Sequence, residues 1–422
     1  MEASGFRFVG FDCAEEEHSV VLLNEDGETE LQRKVVNRRD RVEEALAELV
    51  LAIPEDLELV VVFESERSHG RVVADVARGL GVAIWKVNTV ALNHFRDVEG
   101  QPRKDDDWDA YLAARMAYLR TKGCREVVEV SDEERALSKL SRSHASVTDD
   151  RVQFTLRLRA VLLELAPEIV GRSWQGPKIG SMAMELLLKR WPGFEGMEKA
   201  RLLSIEKILR RCRYGARASD VAKDLRDMAR RITFEKQERS AMTQEIEYLL
   251  RQIEVCNTTL ESFKAEIAAR VEPHPIGKKL LEMPGIGIII AAVLLSELLP
   301  VSRTTTEAKS ATYSGVTPLN RKTGKMPNRP RLARGTNKRI LRALYLSSVA
   351  SLRCSAIDKA YFTKKTQDYA GHPKPHVAAF IALSRQRHKV IFKLLTTEAR
   401  YDKEKLFARH LERLEQNRGA TA

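Results

Sequence analysis

Four acidic side chains stand where carboxylates would have to act together. Asp12 closes the apolar run Phe8-Val9-Gly10-Phe11, and Glu64 closes the apolar stretch Leu57–Phe63. Asp106 and Asp109 lie three residues apart at the head of a helix-spaced segment that continues through Ala110, Leu112 and Ala113. That spacing puts both carboxylates on one helix face. A charged residue closing a buried strand needs a reason, because an unpaired carboxylate is costly to take out of water. Carboxylates packed together repel one another unless a cation neutralises them, and hard oxygen ligands at this density suit Mg²⁺ or Mn²⁺. Two such ions can clamp the attacking and leaving oxygens of a phosphodiester during displacement. For Asp105, Asp106 and Asp107 there is a plainer reading, since acids are favoured in the first turn of any helix. Asp12 and Glu64 resist that explanation.

The elements that would position these groups follow from residue pattern. Phe6–Asp12, Ser19–Asn24 and Glu28–Val36 are predicted strands, with Glu25-Asp26-Gly27 as a hairpin turn. A helix over Asp40–Ala52, a buried strand over Leu57–Phe63, a helix over His69–Leu80 and a strand over Val82–Val87 follow. Three strands in a meander and then alternating helices and strands suit a mixed sheet with helices on its faces, the layout of the ribonuclease H-like fold. In such a sheet the first and fourth strands are neighbours, which would set Asp12 beside Glu64.

From about residue 107 to 272 the pattern is almost wholly helical. Residues Leu225–Ile267 carry a heptad with Leu225, Ile232, Arg239, Ile246, Ile253, Leu260 and Ile267 at a, and Met228, Glu235, Met242, Leu249, Cys256 and Phe263 at d. A seam this long predicts a coiled coil, either between chains or folded on a partner helix, and the expectation taken here is a seam that meets another chain. A long amphipathic helix confined to its own domain is the alternative. Pro273 and Pro275 end the helix and mark a predicted boundary.

Beyond it, Leu280-Leu281-Glu282-Met283-Pro284-Gly285-Ile286-Gly287 has the form of a helix-hairpin-helix, whose glycines would let backbone approach a phosphate. A tight turn between two helices is the bland reading of the same residues. Between Glu307 and Asp358 the chain has no acidic residue, while Lys309, Arg321, Lys322, Lys325, Arg329, Arg331, Arg334, Lys338, Arg339 and Arg342 fall within it. A solvated face normally mixes signs, so a block of one sign interleaved with Gly, Pro and Asn points to a phosphate-binding surface.

The whole composition agrees. The chain has 422 residues and a formal net charge of +12, which favours a polyanionic partner, nucleic acid first and an acidic membrane surface second. The cysteines Cys13, Cys124, Cys212, Cys256 and Cys354 are scattered, against a disulfide framework or a zinc site. The first residues lack the apolar stretch of a signal peptide. Ile286–Leu295 is too short to span a bilayer, so the expectation is a cytoplasmic protein without membrane attachment.

Taken together, these pieces resemble the DEDD transposases of insertion sequences, a family associated with bridge-RNA-guided recombination. Gly10-Phe11-Asp12 is similar to the family's opening Gly-x-Asp, Glu64 to its Glu, and Lys104-Asp105-Asp106-Asp107-Trp108-Asp109-Ala110 to its Lys-Thr-Asp-x-x-Asp-Ala. Pro284-Gly285-Ile286-Gly287, Gly315-Val316-Thr317-Pro318, and Asn337-Lys338-Arg339 with Arg342-Ala343 match successive motifs of its C-terminal domain. The resemblance covers nearly the whole chain. It implies a RuvC-like domain whose four acids bind Mg²⁺, a guide RNA, and a serine nucleophile that forms a phosphoserine with DNA. It also implies a composite active site, with the acids from one subunit and the hydroxyl from another.

Two departures stand out. The family's serine is replaced by Thr323, in Arg321-Lys322-Thr323-Gly324-Lys325, and the residues after the family's Glu become Ser65-Glu66-Arg67. Threonine is also a hydroxyl nucleophile, though its branched Cβ crowds attack. A turn cap beside Gly324 is the other reading of Thr323, and Ser314 is a weaker candidate for the hydroxyl. The basic helix within Leu137–Glu164 is similar to an RNA-contacting helix of the family, although by itself it reads equally as a solvated face.

The expected organisation is therefore α/β followed by all-α. It comprises a ribonuclease H-like domain over 1–125, a helical middle over 126–275 containing the coiled coil 225–267, and a C-terminal transposase domain over 276–422. The expected function is metal-dependent DNA strand cleavage and transfer by Asp12, Glu64, Asp106, Asp109 and Thr323. Arg321, Lys322, Lys325, Arg329, Arg331, Arg334, Lys338, Arg339 and Arg342 are expected to face nucleic acid, in a dimer or tetramer joined through the coiled coil. A junction-resolving endonuclease that uses water, and an inactive nucleic-acid-binding relative, are the rival readings.

Overall fold

A computed structural model describes residues 5–65, 68–99, 105–121, 123–171, 173–317, 332–333 and 335–402. The chain divides into two compact units, Met1–Glu129 and Val130–Ala422.

The first unit is a six-stranded sheet: β1 (Phe6–Asp12), β2 (Glu17–Leu23), β3 (Thr29–Val36), β4 (Glu58–Phe63), β5 (Ala83–Val87) and β6 (Cys124–Glu126). Their order across the sheet is β3-β2-β1-β4-β5-β6. The β1–β2 and β2–β3 pairs are antiparallel, β1–β4 and β4–β5 are parallel, and β6 returns antiparallel to β5. Four helices complete the unit: α1 (Arg39–Ala52), α2 (Gly70–Gly79), α3 (Thr89–Val98) and α4 (Asp106–Tyr118). The strand pleat sorts side chains between two cores. Val9, Phe11, Val61 and Phe63 pack with Val42 and Leu46 of α1 and Val73 and Ala77 of α2. Phe8, Val60 and Val62 pack on the opposite face with Leu92 of α3 and Ala110, Ala113 and Ala117 of α4. The elements expected up to Val87 are present within a few residues of their predicted limits. Helix α3 and the short strand β6 were not predicted, because neither has a clean period in sequence.

The second unit is helical. It contains α5 (Asp132–Leu165), α6 (Met182–Arg190), α7 (Leu202–Arg211), α8 (Ala218–Arg231), α9 (Lys236–Val271), α10 (Pro275–Leu281), α11 (Ile288–Leu298), α12 (Glu307–Tyr313), α13 (Lys338–Cys354), α14 (Ala356–Asp368) and α15 (Pro375–Thr396), with short 3₁₀ turns between them. Helix α5 opens on a capping box, in which the Ser131 hydroxyl accepts from the Glu134 amide at 3.2 Å and the Glu134 carboxylate accepts from the Ser131 amide at 2.9 Å.

The expected continuous seam over 225–267 is corrected here in two respects. It is not one helix, because α8 ends at Arg231 and α9 begins at Lys236. Nor does it rely on another chain for its cover: Ile246, Leu249 and Ile253 share a core with Leu158, Val161, Leu162 and Leu165 of α5, while Ile267 and Val271 share another with Leu137. Helices α5 and α9 therefore run antiparallel, seam to seam, within one chain. Helix α9 stops before Pro273, and its last turns share a core with α10, α11, α13 and α15. Among the described residues no single helix is long and apolar enough to cross a membrane. The apolar run starting at Ile286 instead supplies the core residues Ala291, Ala292, Leu294, Leu295 and Leu298 of α11.

Candidate active site

Strand register brings the first two acids together. Phe11 of β1 pairs with Phe63 of β4, so the next residues along these parallel strands, Asp12 and Glu64, leave the sheet side by side. By pleat alternation they belong with Phe8 and Val62 on the face covered by α4. Helix α4 can lie close against β1 only because position 10 is glycine. A Cβ there would fall 1.9 Å from the Ala110 carbonyl oxygen and 3.0 Å from the Ala114 amide nitrogen. Both obstacles are backbone, which cannot yield as a side-chain tip can. Gly10→Ala is therefore expected to lower stability by about 1–3 kcal/mol through overpacking, measured by urea denaturation. A variant as stable as the parent would refute this account of the strand–helix contact.

The first turn of α4 is acidic by design of its cap. The Asp105 side chain accepts from the Asp107 amide, and Asp106, Asp107 and Asp109 follow. Asp106 is exposed. Asp107 accepts from Gln32 Nε2 at 2.8 Å. Asp109 is only 8% exposed, and Arg96 of α3 gives it a counter-charge: Arg96 Nε donates to Asp109 Oδ1 at 3.1 Å, and Nη2 donates to the same oxygen. Glu64 accepts from the Thr89 hydroxyl, also on α3, at 3.2 Å. The electrostatic effect of the strand-end acids registers at Cys13. Burial first, and then the charges of Asp12 and Glu64, push its thiol up to about 12, so it stays protonated at neutral pH.

The structure thus sets Asp12 beside Glu64 and packs α4, with Asp106 and Asp109 on its first turn, against the strand that ends in Asp12. It does not gather the four into a finished ligand set: among the described residues no three His, Cys, Asp or Glu side chains stand close enough to hold one metal ion. The donor chemistry of the Asp12–Glu64 pair fits a hard divalent cation. Asp109 would join it against the charge of Arg96, whose two bonds both fall on Oδ1. Neither Arg96 nor Thr89 was singled out in sequence. Their only trace there is α3 itself, which lacks a recognisable pattern.

In the C-terminal helices, Thr323, Arg321, Lys322, Lys325, Arg329, Arg331 and Arg334 lie outside the described residues. Lys338 is exposed, and Arg342 is exposed with Asp149 at 3.4 Å. Arg339 differs from the expectation of a nucleic-acid contact. Its guanidinium pairs with the buried Glu297 and donates to Ser141 Oγ at 2.9 Å, while Arg142 and Asn337 also donate to Glu297. It holds helices together. Ser314 is buried, which removes it from reach of a phosphate as placed.

The Pro-Gly-x-Gly turn is likewise occupied. Gly285 has φ +79°, and a Cβ there would meet the Ser347 carbonyl oxygen at 2.5 Å. Its glycine requirement comes from packing on α13, whereas Gly287, at the start of α11, is unobstructed. Behind the turn, Arg387 donates to the Pro284 carbonyl at 2.6 Å.

Comparison with known proteins agrees with this arrangement. Residues 9–167, which include all four acids and the sheet apart from the first three residues of β1, match the model of a DEDD transposase domain of the IS110 type, described as a transposase. Residues 277–363 match a second model, described as the transposase of the IS116/IS110/IS902 family. A 43.6 kDa protein of insertion element IS110 from Streptomyces coelicolor is 24% identical over 396 residues, covering 94% of this chain and 95% of that one. A protein of the IS117 mini-circle from the same organism, named as a candidate transposase, is 23% identical over 95% of this chain and 96% of its own. A 42 kDa protein of IS900 from Mycobacterium paratuberculosis is 27% identical over 154 residues, 36% of this chain and 38% of its own. With both domain models matched in order, and relatives from insertion elements matched over nearly the whole chain, the chain belongs to the IS110-type family of insertion-element transposases.

Proposed function

We propose that this transposase cuts and transfers DNA strands with Mg²⁺ or Mn²⁺ held by Asp12, Glu64, Asp106 and Asp109, and with Thr323 as its hydroxyl nucleophile. The observation that carries the reading is the adjacency of Asp12 and Glu64 at the ends of neighbouring parallel strands, with α4 seated on the same face through Gly10. Bound there, a divalent ion would supply Lewis-acid charge stabilisation at a DNA phosphate. Thr89 orients Glu64 through its hydrogen bond, and α4 brings Asp106 and Asp109 from above β1. The basic residues from Arg321 to Arg342, Arg339 apart, would bind DNA phosphates without reading bases. The guide RNA and the dimer or tetramer implied by the family belong to this reading. Because the α9 seam is already covered by α5, subunits would have to meet through other surfaces.

In the transfer step the Thr323 oxygen would attack phosphorus, giving a phosphothreonine and releasing a DNA hydroxyl, with the threonine proton passing to the leaving oxygen. A hydroxyl of the recipient strand then reverses the exchange. Thr323→Ala is expected to abolish both the covalent protein–DNA adduct and strand transfer while DNA binding and folding persist. Thr323→Ser should retain or raise activity, since the crowding methyl is gone. Denaturing gels of a labelled DNA substrate read both. Normal recombination by the alanine variant would move the chemistry to water at the acids and remove Thr323 from the mechanism.

A further inference from the structure

Helix α3 touches two of the four acids, one from each group. At its first residue the Thr89 hydroxyl donates to Glu64, and near its last turn Arg96 reaches Asp109. The arginine is held for this task. Its Nη1 donates to Asn93 Oδ1 at 2.9 Å, one turn back on the same helix, while Nε and Nη2 both point at Asp109 Oδ1. The two side chains are 13% and 10% exposed, so the pair sits largely out of water, where a charge pair is stronger than at the surface. No three potential ligands are close enough for one ion while this pair is made, among the described residues.

We infer that Arg96 is an internal counter-cation that competes with the divalent metal for Asp109, and that α3 is a latch whose release completes the metal site. This rests on the acids holding a metal, as proposed above. Both Arg96 bonds fall on Asp109 Oδ1, and a fixed positive charge beside a carboxylate opposes a second cation there, so the acids hold the ion more tightly as the guanidinium leaves. Because Arg96 and Thr89 share one short helix, movement of α3 would free Asp109 and Glu64 together. Metal capture and α3 position are then coupled, and any contact that draws α3 away raises metal affinity.

The test is Mn²⁺ binding to the full chain without nucleic acid, read from the free-ion electron paramagnetic resonance signal. Arg96→Gln is expected to bind Mn²⁺ at least tenfold more tightly than the parent, and Asp12→Asn to weaken binding in both backgrounds. Equal or weaker binding by Arg96→Gln would overturn the latch and make Arg96 a residue that positions Asp109 as a ligand. Unchanged binding by Asp12→Asn in both backgrounds would instead remove the metal from these acids, a failure of the underlying reading that the Arg96 arm alone cannot produce. Should Arg96→Gln fail to fold, the parent protein decides the matter. Its Arg96 Nε–Hε resonance is expected to shift as Mg²⁺ is added, and saturation of an Asp12-dependent site with that resonance unmoved would overturn the proposal.

Discussion

Asp12→Asn is expected to lower metal-dependent DNA cleavage by on the order of 10³-fold or more, because a bound metal contributes several kcal/mol of transition-state stabilisation and each ~1.4 kcal/mol is tenfold in rate. The substitution is nearly isosteric, and Asp12 ends β1 at the edge of the hydrophobic layers without belonging to either core. It removes one of two neighbouring like charges, so folding without metal should be as good as in the parent or better. Stability therefore separates chemistry from collapse. Adding Mg²⁺ should raise the melting temperature of the parent, since a ligand that binds only the folded state stabilises it, and should do so less for the variant. Cleavage assays across a Mg²⁺ series, beside thermal melts, test both halves. A variant that cleaves at the parental rate would exclude Asp12 from the metal site.

Arg387→Met is expected to destabilise the second unit by about 3–5 kcal/mol, the range found when one member of a buried ion pair is removed. Arg387 on α15 and Asp358 on α14 are each 1% exposed. Arg387 Nη1 donates to Asp358 Oδ2 at 2.8 Å, its Nη2 donates to the Ser347 hydroxyl at 2.7 Å and to the Pro284 carbonyl at 2.6 Å, and its Nε donates to Ser347 at 3.1 Å. Burial pulls its guanidinium below the ordinary arginine value while Asp358 opposes the shift; an arginine nonetheless remains the cation at neutral pH. Methionine would fill much of the space but leave Asp358 charged, dry and short of a donor. Replacing both partners with apolar residues should recover much of the loss, because the cost lies in the orphaned charge. Urea denaturation of the single and double variants measures this. A single variant within ~1 kcal/mol of the parent would mean that water or another donor reaches Asp358.

A neighbouring cluster works on similar terms. His388 is fully buried, and burial pulls it down to about 4, so its ring is neutral at pH 7. Glu307, held below its usual range by Arg385, can only accept, so His388 Nδ1 carries the proton toward it at 3.2 Å and Nε2 accepts from the Ser310 hydroxyl at 3.0 Å. The Ser–His–Glu chain resembles a catalytic relay in connectivity alone. Ser310 is buried, and what the chain does here is fasten α12 to α15.

Much of the first unit was legible because its signals are local. Alternation in Phe6–Asp12 and Glu58–Phe63, the hairpin glycine, and acids closing strands or opening a helix are properties of short windows. They were enough to set Asp12 beside Glu64 and to place Asp106 and Asp109 on one helix. The heptad positions of α9 were equally legible as an apolar seam, but a seam records that it will be covered and says nothing about what covers it. Helix α5 covers it, roughly a hundred residues earlier in the chain. The break between α8 and α9 falls at Ile232–Glu235, where the heptad already carried Glu235 at d and Arg239 at a.

By itself, then, the sequence determined the strands and helices of strong period, the strand-end acids, the basic character of the C-terminal half, and a family resemblance that comparison with known proteins bears out. Tertiary structure alone decided where the charges go. It spends Arg339 on Glu297, Arg387 on Asp358 and Arg96 on Asp109, three arginines that look alike in sequence to any that face solvent. The physical reason is range. Hydrophobic period and capping act within a few turns of chain, whereas a buried charge takes its partner from whatever element the fold packs against it, here 13 to 42 residues away along the chain.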